Sequence, residues 1–300
     1  MTKEINTPPV CDYEGSDYQD RFWEEGGRGY EDGAEVLALK RLLPKGGSHL
    51  LELGAGAGRN TPRYSGFERV TLVDYSSTQL QQAIRRLGAK PQYRFVAADV
   101  YRLPFAPGVL DAATMIRTIH HLSEPQLALE QARACLADDA VFILEFANKR
   151  NIKSILRYWS GKQKWSPFSP EQVEFVELNF DFHPATIKRM AAAGGFGVEK
   201  QISVSFLRAG FFKRFIPLKL LLAKENFLQH FASWTALSPS VFLRLRALPG
   251  SQPSVPGGDA FFCCPACGHY PLADTPPKLT CAKCGQTYTF KDGIYDFRLK

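Results

Sequence analysis

The chain has 300 residues, 45% hydrophobic and 22% charged, an ordinary globular balance with enough apolar mass for a sizeable core. No secretory signal follows Met1, and the richest apolar stretch, 211–231, is broken by Lys213, Arg214, Pro217, Lys219, Lys224 and Glu225, so no transmembrane segment is expected and the chain reads as soluble and cytoplasmic. A net charge of +7 selects no partner by itself; its distribution matters more.

In chain order, residues 1–33 are polar and rich in Gly, Asp and aromatics (Tyr13, Tyr18, Phe22, Trp23, Tyr30), an irregular arm or short helix. A helix is predicted over 34–43, stopping at Pro44. Buried strands then read at 49–53, 69–73, 93–97, 110–116 and 140–146, with helices at 77–87 and 125–136 between them. Short apolar strands alternating with helices predict a doubly wound, mostly parallel sheet covered on both faces. A helix at 184–193, a sixth strand at 197–206 and a seventh at 240–247 complete the count. Residues 249–259 form a Pro/Gly linker, and 260–300 a compact tail.

The richest motif is Leu51-Glu-Leu-Gly-Ala-Gly-Ala-Gly58, where the first strand passes into a helix. Without Cβ atoms, Gly54, Gly56 and Gly58 let the backbone turn sharply and a ligand lie against it. Asp74 follows Gly54 by 20 residues at the end of the second strand, where a carboxylate can accept both hydroxyls of a ribose. A dinucleotide fingerprint needs a third glycine where Arg59 stands, so a nucleoside ligand without a pyrophosphate fits better.

These residues, with Leu72-Val-Asp74-Tyr75-Ser76, Ala98-Asp99-Val100 before Leu103-Pro-Phe105, and Asp111 leading to Ile119-His-His-Leu122, resemble the class I S-adenosylmethionine-dependent methyltransferases. Within them the resemblance is to the ubiquinone and menaquinone methyltransferases, over about residues 48–146. It implies that Gly54, Gly56 and Gly58 line the methionine part of S-adenosyl-L-methionine, with Glu52 near its ammonium. Asp74 would bind the ribose, Tyr75 would flank the adenine, and Asp99, beside Val100, would receive its exocyclic amine. Arg117 would reach the cofactor carboxylate. Methyl transfer from a sulfonium is an in-line displacement, and a base is needed only if the acceptor carries a proton. His121 is the candidate base; His120-His121-Leu122 also reads as a loop-to-helix junction with one ring packed inward.

Five of seven cysteines fall in the last 38 residues. Cys264-Pro-Ala-Cys267-Gly268 and Cys281-Ala-Lys-Cys284-Gly285 form two knuckles, 13 residues apart, whose glycines can take positive φ. Four thiolates suit a closed tetrahedral zinc site, with iron as the rival metal and disulfides the alternative in an oxidising compartment. Cys263 competes with Cys264, but the spacing favours Cys264. With Leu279 to Ile294, including an Asp292-Gly293 turn, the tail resembles the small zinc-ribbon activator proteins that partner methyltransferases in translation. That resemblance implies a cis-acting support, with a grip on substrate as the rival.

Two basic, aromatic segments, 149–168 and 208–231, should rim the carboxyl edge of the sheet. Within them 149–164 and 208–224 hold no acidic residue. An anionic acceptor, or one met at an anionic surface, fits them: a small or lipid-like molecule with peripheral membrane contact, or RNA. A plain solvated lid and a non-catalytic cofactor-binding scaffold are the other readings.

Overall fold

A computed structural model of the protein describes residues 8–11, 14–15, 23, 26–250 and 260–299. Most of the expected N-terminal arm, and the expected linker from 251 onward, lie outside the described residues.

Seven strands form the central sheet: β1 (Gly47–Leu53), β2 (Phe67–Asp74), β3 (Tyr93–Ala97), β4 (Leu110–Met115), β5 (Leu136–Ala147), β8 (Phe196–Val204) and β9 (Ser240–Ala247). β3, β2, β1, β4 and β5 are mutually parallel and lie in that order; β9 and β8 follow, β9 running antiparallel to both neighbours. The chain starts at β1 and winds outward in both directions, so the sheet has its switch point at β1. Helices α1 (Gly29–Leu42), α2 (Ser77–Leu87), α3 (Pro125–Cys135) and α5 (Pro184–Ala193) cover its faces.

Local chemistry fixes the helix starts. Ser76 caps α2, its Oγ accepting from Gln79 N at 3.2 Å, and Gly88 closes the helix at φ 78°. α3 and α5 each carry proline in the first turn, where no N–H is missed. α1 begins five residues earlier than the sequence pattern predicts. Its first turn is held by tertiary contacts, Tyr30 to Glu225 and Lys213 to Glu31, which periodicity does not register.

Between β5 and α5 the sequence reading left a gap. There the structure has α4 (Ile152–Trp159) and a hairpin of β6 (Val173–Val176) and β7 (Asn179–Asp181). α6 (Gly210–Phe215) and α7 (Leu218–Phe231) join β8 to β9.

The tail does not stand apart as a separate module. Its strands β10 (Lys278–Thr280), β11 (Thr287–Lys291) and β12 (Ile294–Asp296) extend the seven-stranded sheet to ten, because β12 pairs in parallel with β3. Phe262 is fully buried, bridges Phe105 and Leu272, and shares one core with Leu51, Val96 and Met115. The open edge that β3 would otherwise present is thereby paired. Among the described residues no helix is long and apolar enough to cross a membrane.

Candidate functional site

The carboxyl ends of β1, β2 and β4 frame a cavity of about 140 Å³. Its floor is the turn after β1. Gly54 and Gly56 sit there at φ 68° and 53°, a region that L side chains rarely adopt. A Cβ on Gly54 would fall 2.0 Å from Thr118 Oγ1, whereas one on Gly56 would point into the open cavity. Gly58 does not line it; it packs beneath, against Leu87 and Ala83 of α2.

Asp74 closes the floor. Its Oδ2 accepts from Gly56 N at 2.8 Å and its Oδ1 from Ser76 N at 2.9 Å. The residue lines the cavity. Tyr75 and Val100 line the same wall. Asp99 does not. Its Oδ1 caps the following turn, accepting from Tyr101 N at 2.9 Å, and the residue lines an adjoining cavity bounded also by Val10, Tyr75, Phe297 and Leu299. Burial raises the Asp99 carboxyl above its ordinary pKa, against the bond from Tyr101 N.

On the other side stands a charge network that the sequence did not reveal. Glu35 of α1 is fully buried and bonds Arg59 and Arg117 at 2.6 Å each. Burial alone would raise its pKa, but Arg117 and Arg59 pull it below the usual carboxylate range. Asp32 pairs Arg59 and Arg63. Trp23 lies over Arg59 at 3.6 Å and Arg117 at 4.7 Å. Arg117 adopts φ 56°, and its N–H donates to the buried Glu145, so its strained backbone is held by the fold.

Glu52, buried below the cavity, accepts from Thr61 Oγ1 at 2.6 Å. Burial pushes its carboxyl up to about 7, against the Thr61 bond and nearby Arg59 and Arg63. His121 lines the cavity too, with Nδ1 3.0 Å from Leu178 O on the β6–β7 hairpin. A carbonyl only accepts, so Nδ1 carries the proton and Nε2 is the basic nitrogen. Burial lowers the His121 pKa, opposed by that bond. The ring is thus partly buried against the hairpin and lines the cavity.

In the tail, the sulfurs of Cys264, Cys267, Cys281 and Cys284 lie within 4.8 Å of one another. The Cys264–Cys284 and Cys267–Cys281 pairs are each 3.7 Å apart. Thiolates about 2.3 Å from a central zinc at tetrahedral corners stand about 3.8 Å from each other, so the donor set fits such an ion. Gly268 and Gly285 hold φ 68° and 73°, turning each knuckle. Tyr288 OH lies 3.1 Å from Cys264 Sγ, a contact that would orient a ligand sulfur. Cys263 points away, toward Phe105 O at 3.1 Å.

Sequence reasoning missed Trp23, Glu35, Arg59, Thr118 and the tail residues beside Tyr75. Only Arg59, adjacent to the last glycine of the loop, had a local signal. Arg298 reaches Tyr75 O at 3.1 Å, a contact across more than two hundred residues that no spacing announces.

A doubly wound sheet with a glycine turn facing an acid at its switch point defines a nucleoside-binding α/β protein. Comparison with known proteins narrows the class. The methyltransferase domain family matches residues 51–144. A 2-phytyl-1,4-naphtoquinone methyltransferase of Trichormus variabilis is 30% identical over 199 residues, covering 56% of this chain and 82% of that protein. A ubiquinone/menaquinone biosynthesis C-methyltransferase of Roseobacter denitrificans is 29% identical over 37% of the chain, and an O-methyltransferase of Penicillium expansum 30% identical over 37%. These two alignments span 47% and 44% of the relatives' own lengths, less than half of each.

Among solved structures, a chain of the complex between the Haloferax volcanii Trm112 methyltransferase activator and a methyltransferase superposes with TM-score 0.54 at 15% identity, over 78% of this chain and 96% of that one. An S-adenosylmethionine-dependent methyltransferase from Listeria monocytogenes gives 0.54 at 14% identity, over 73% and 99%. At these identities the likeness is one of fold. The chain belongs to the S-adenosylmethionine-dependent methyltransferases.

The raised pKa of Glu52 has a measurable consequence. A ligand ammonium beside it needs the carboxylate, which is lost as pH falls through about 7. Affinity for S-adenosylhomocysteine is expected to fall up to about tenfold between about pH 8 and pH 6. Calorimetric titration at both values checks this; an affinity that stays flat or rises would place the ammonium elsewhere.

Proposed function

We propose that the cavity above β1 and β2 holds S-adenosyl-L-methionine and that the protein transfers its methyl group to a small, lipid-like acceptor. The observation that carries the cofactor assignment is the Asp74 carboxylate, bonded at 2.8 Å to Gly56 N beside an open turn. Gly56 leaves room for the methionine chain, Gly54 admits Thr118 beside it, and Asp74 accepts from the ribose hydroxyls. Tyr75 flanks the adenine, with Val100 behind it, and Asp99 takes the exocyclic amine through the adjoining cavity. Arg59 and Arg117 attract the cofactor carboxylate, while ionised Glu52 takes its ammonium.

The cofactor supplies an electrophilic methyl on a positively charged sulfur. The chain's residues align donor and acceptor and exclude water; Trp23, stacked on both arginines, covers one side. Where the acceptor carries a proton, Nε2 of His121 receives it. Relatives named for quinone-related substrates support the lipid-like acceptor.

Methyl-labelled cofactor incubated with separate cell fractions tests the acceptor class. Label is expected in the organic-extractable fraction; label in RNA instead contradicts the proposal. His121→Ala should lower that rate by about 10²–10⁴-fold while leaving S-adenosylhomocysteine affinity unchanged.

For the tail we propose a structural zinc ribbon. A closed four-thiolate set leaves no position for substrate, and the segment it staples completes the β3 edge of the sheet. Metal analysis of the purified chain is expected to give one zinc per molecule. Less than about half an equivalent, or iron in its place, contradicts a zinc ribbon.

A further inference from the structure

α7 is inside-out. A helix on a globular surface buries its apolar stripe and turns its polar residues to water. Here the buried positions include Glu225 and Gln229, 0% and 2% exposed. Glu225 accepts from Ser205 N at 2.7 Å and Phe206 N at 3.1 Å, and Gln229 donates to Ala34 O at 2.9 Å. The opposite stripe carries Leu220, Phe227 and Phe231, 50%, 60% and 60% exposed, with Lys224 among them.

The same pattern continues on both sides. On α6, Phe211 and Phe215 stand out one turn apart with ring centroids 4.9 Å from each other. Past the end of α7, Trp234 is 83% exposed. The next residues meet the start of α4, since Ile152 N donates to Leu237 O at 2.9 Å. α4 then presents Ile152, Leu156 and Trp159 at helical spacing, all exposed, beside Lys153 and Arg157. Each of the three helices thus presents an exposed apolar face, with α6 against α7 and the start of α4 bonded to the segment that follows α7.

We infer that this face docks onto an anionic lipid bilayer. Charge selects that occupant. Lys153, Arg157, Lys162, Lys164, Arg214, Lys219 and Lys224 lie on or beside the three helices, and none forms an ion pair among the described residues. The one carboxylate in α4, α6 and α7 is the buried Glu225. A second copy of this chain would bring the same seven cations against these, so self-association through the face is repelled. An acidic lipid surface accepts the cations at its headgroups and the Phe and Trp side chains just below them.

The placement serves the enzyme. β8 runs parallel to β5, so α4 and α6 both leave the sheet at the carboxyl edge, the edge on which the cavity opens. A docked molecule turns that edge toward the membrane. Docking is read without turnover, so its failure is distinct from failure of the proposed methyl transfer.

The test is co-sedimentation of the full chain with phosphatidylcholine vesicles, with and without phosphatidylserine. Binding is expected only with phosphatidylserine. Phe227→Ser/Phe231→Ser should weaken it at least about tenfold, because two side chains lose their burial in lipid. Lys219→Glu/Lys224→Glu should also weaken it more than about tenfold, at roughly fivefold per cation removed. Both variants should keep the wild-type melting temperature and S-adenosylhomocysteine affinity. The inference is overturned by no vesicle binding, by equal binding to both vesicle types, or by variants that bind as wild type does. It is equally overturned by a dimer in sedimentation velocity that the Phe227→Ser/Phe231→Ser change dissolves, or by RNA that takes up the protein while vesicles do not.

Discussion

The structure turns on one carboxylate. Asp74 bonds Gly56 N on the turn after β1 and Ser76 N at the start of α2, while its own carbonyl accepts from Ala98 N after β3. Three chain segments thus meet at one residue, two of them on its side chain. The two carboxylate bonds are charge-assisted, a stronger class than neutral peptide hydrogen bonds. The cavity floor and the entry into α2 are tied together through it.

Electrostatics around this anchor are asymmetric. On the β2 side lies the Asp74 carboxylate; on the α1 side lie three guanidiniums paired with two carboxylates. An amino-acid-bearing nucleoside presents a matching pattern, hydroxyls at one end and a carboxylate at the other. α1 is central to this arrangement, because Glu35 orients Arg59 and Arg117 while Tyr30 of the same helix bonds Glu225 on α7. The tail contributes at the opposite end. Its strand β12 closes the sheet edge, Phe297 N donates to Ala97 O at 2.8 Å, and Arg298 reaches the backbone of Tyr75. The four-cysteine segment and the candidate adenine wall thus belong to one continuous structure.

What the sequence disclosed was local. β3, α2, α5 and β9 fall on the residues their patterns mark, because period-two and period-3.6 apolar spacing, Ser76 and Pro184 act within a few residues. The glycine turn and Asp74 were legible for the same reason, and so were the two knuckles. The parallel pairing of β12 with β3 was not, since its partners are some two hundred residues apart and β12 is three residues long. The β6–β7 hairpin was missed because its strands are short and largely exposed, with no alternation to read. Glu35 looked like any polar residue of a surface helix; only tertiary structure shows it buried between two arginines. The basic, aromatic segments were visible as composition, but the inverted facing of α7 required knowing which side packs.

The most direct measurement compares two ligands on two proteins by calorimetry: S-adenosylhomocysteine and its 2′,3′-dideoxy analogue, on wild type and on Asp74→Ala. If Asp74 holds the ribose, removing either the carboxylate or the hydroxyls weakens wild-type binding about a hundredfold, and removing both costs little more than removing one. Wild-type protein that binds neither ligand, or losses that simply multiply, would contradict the account.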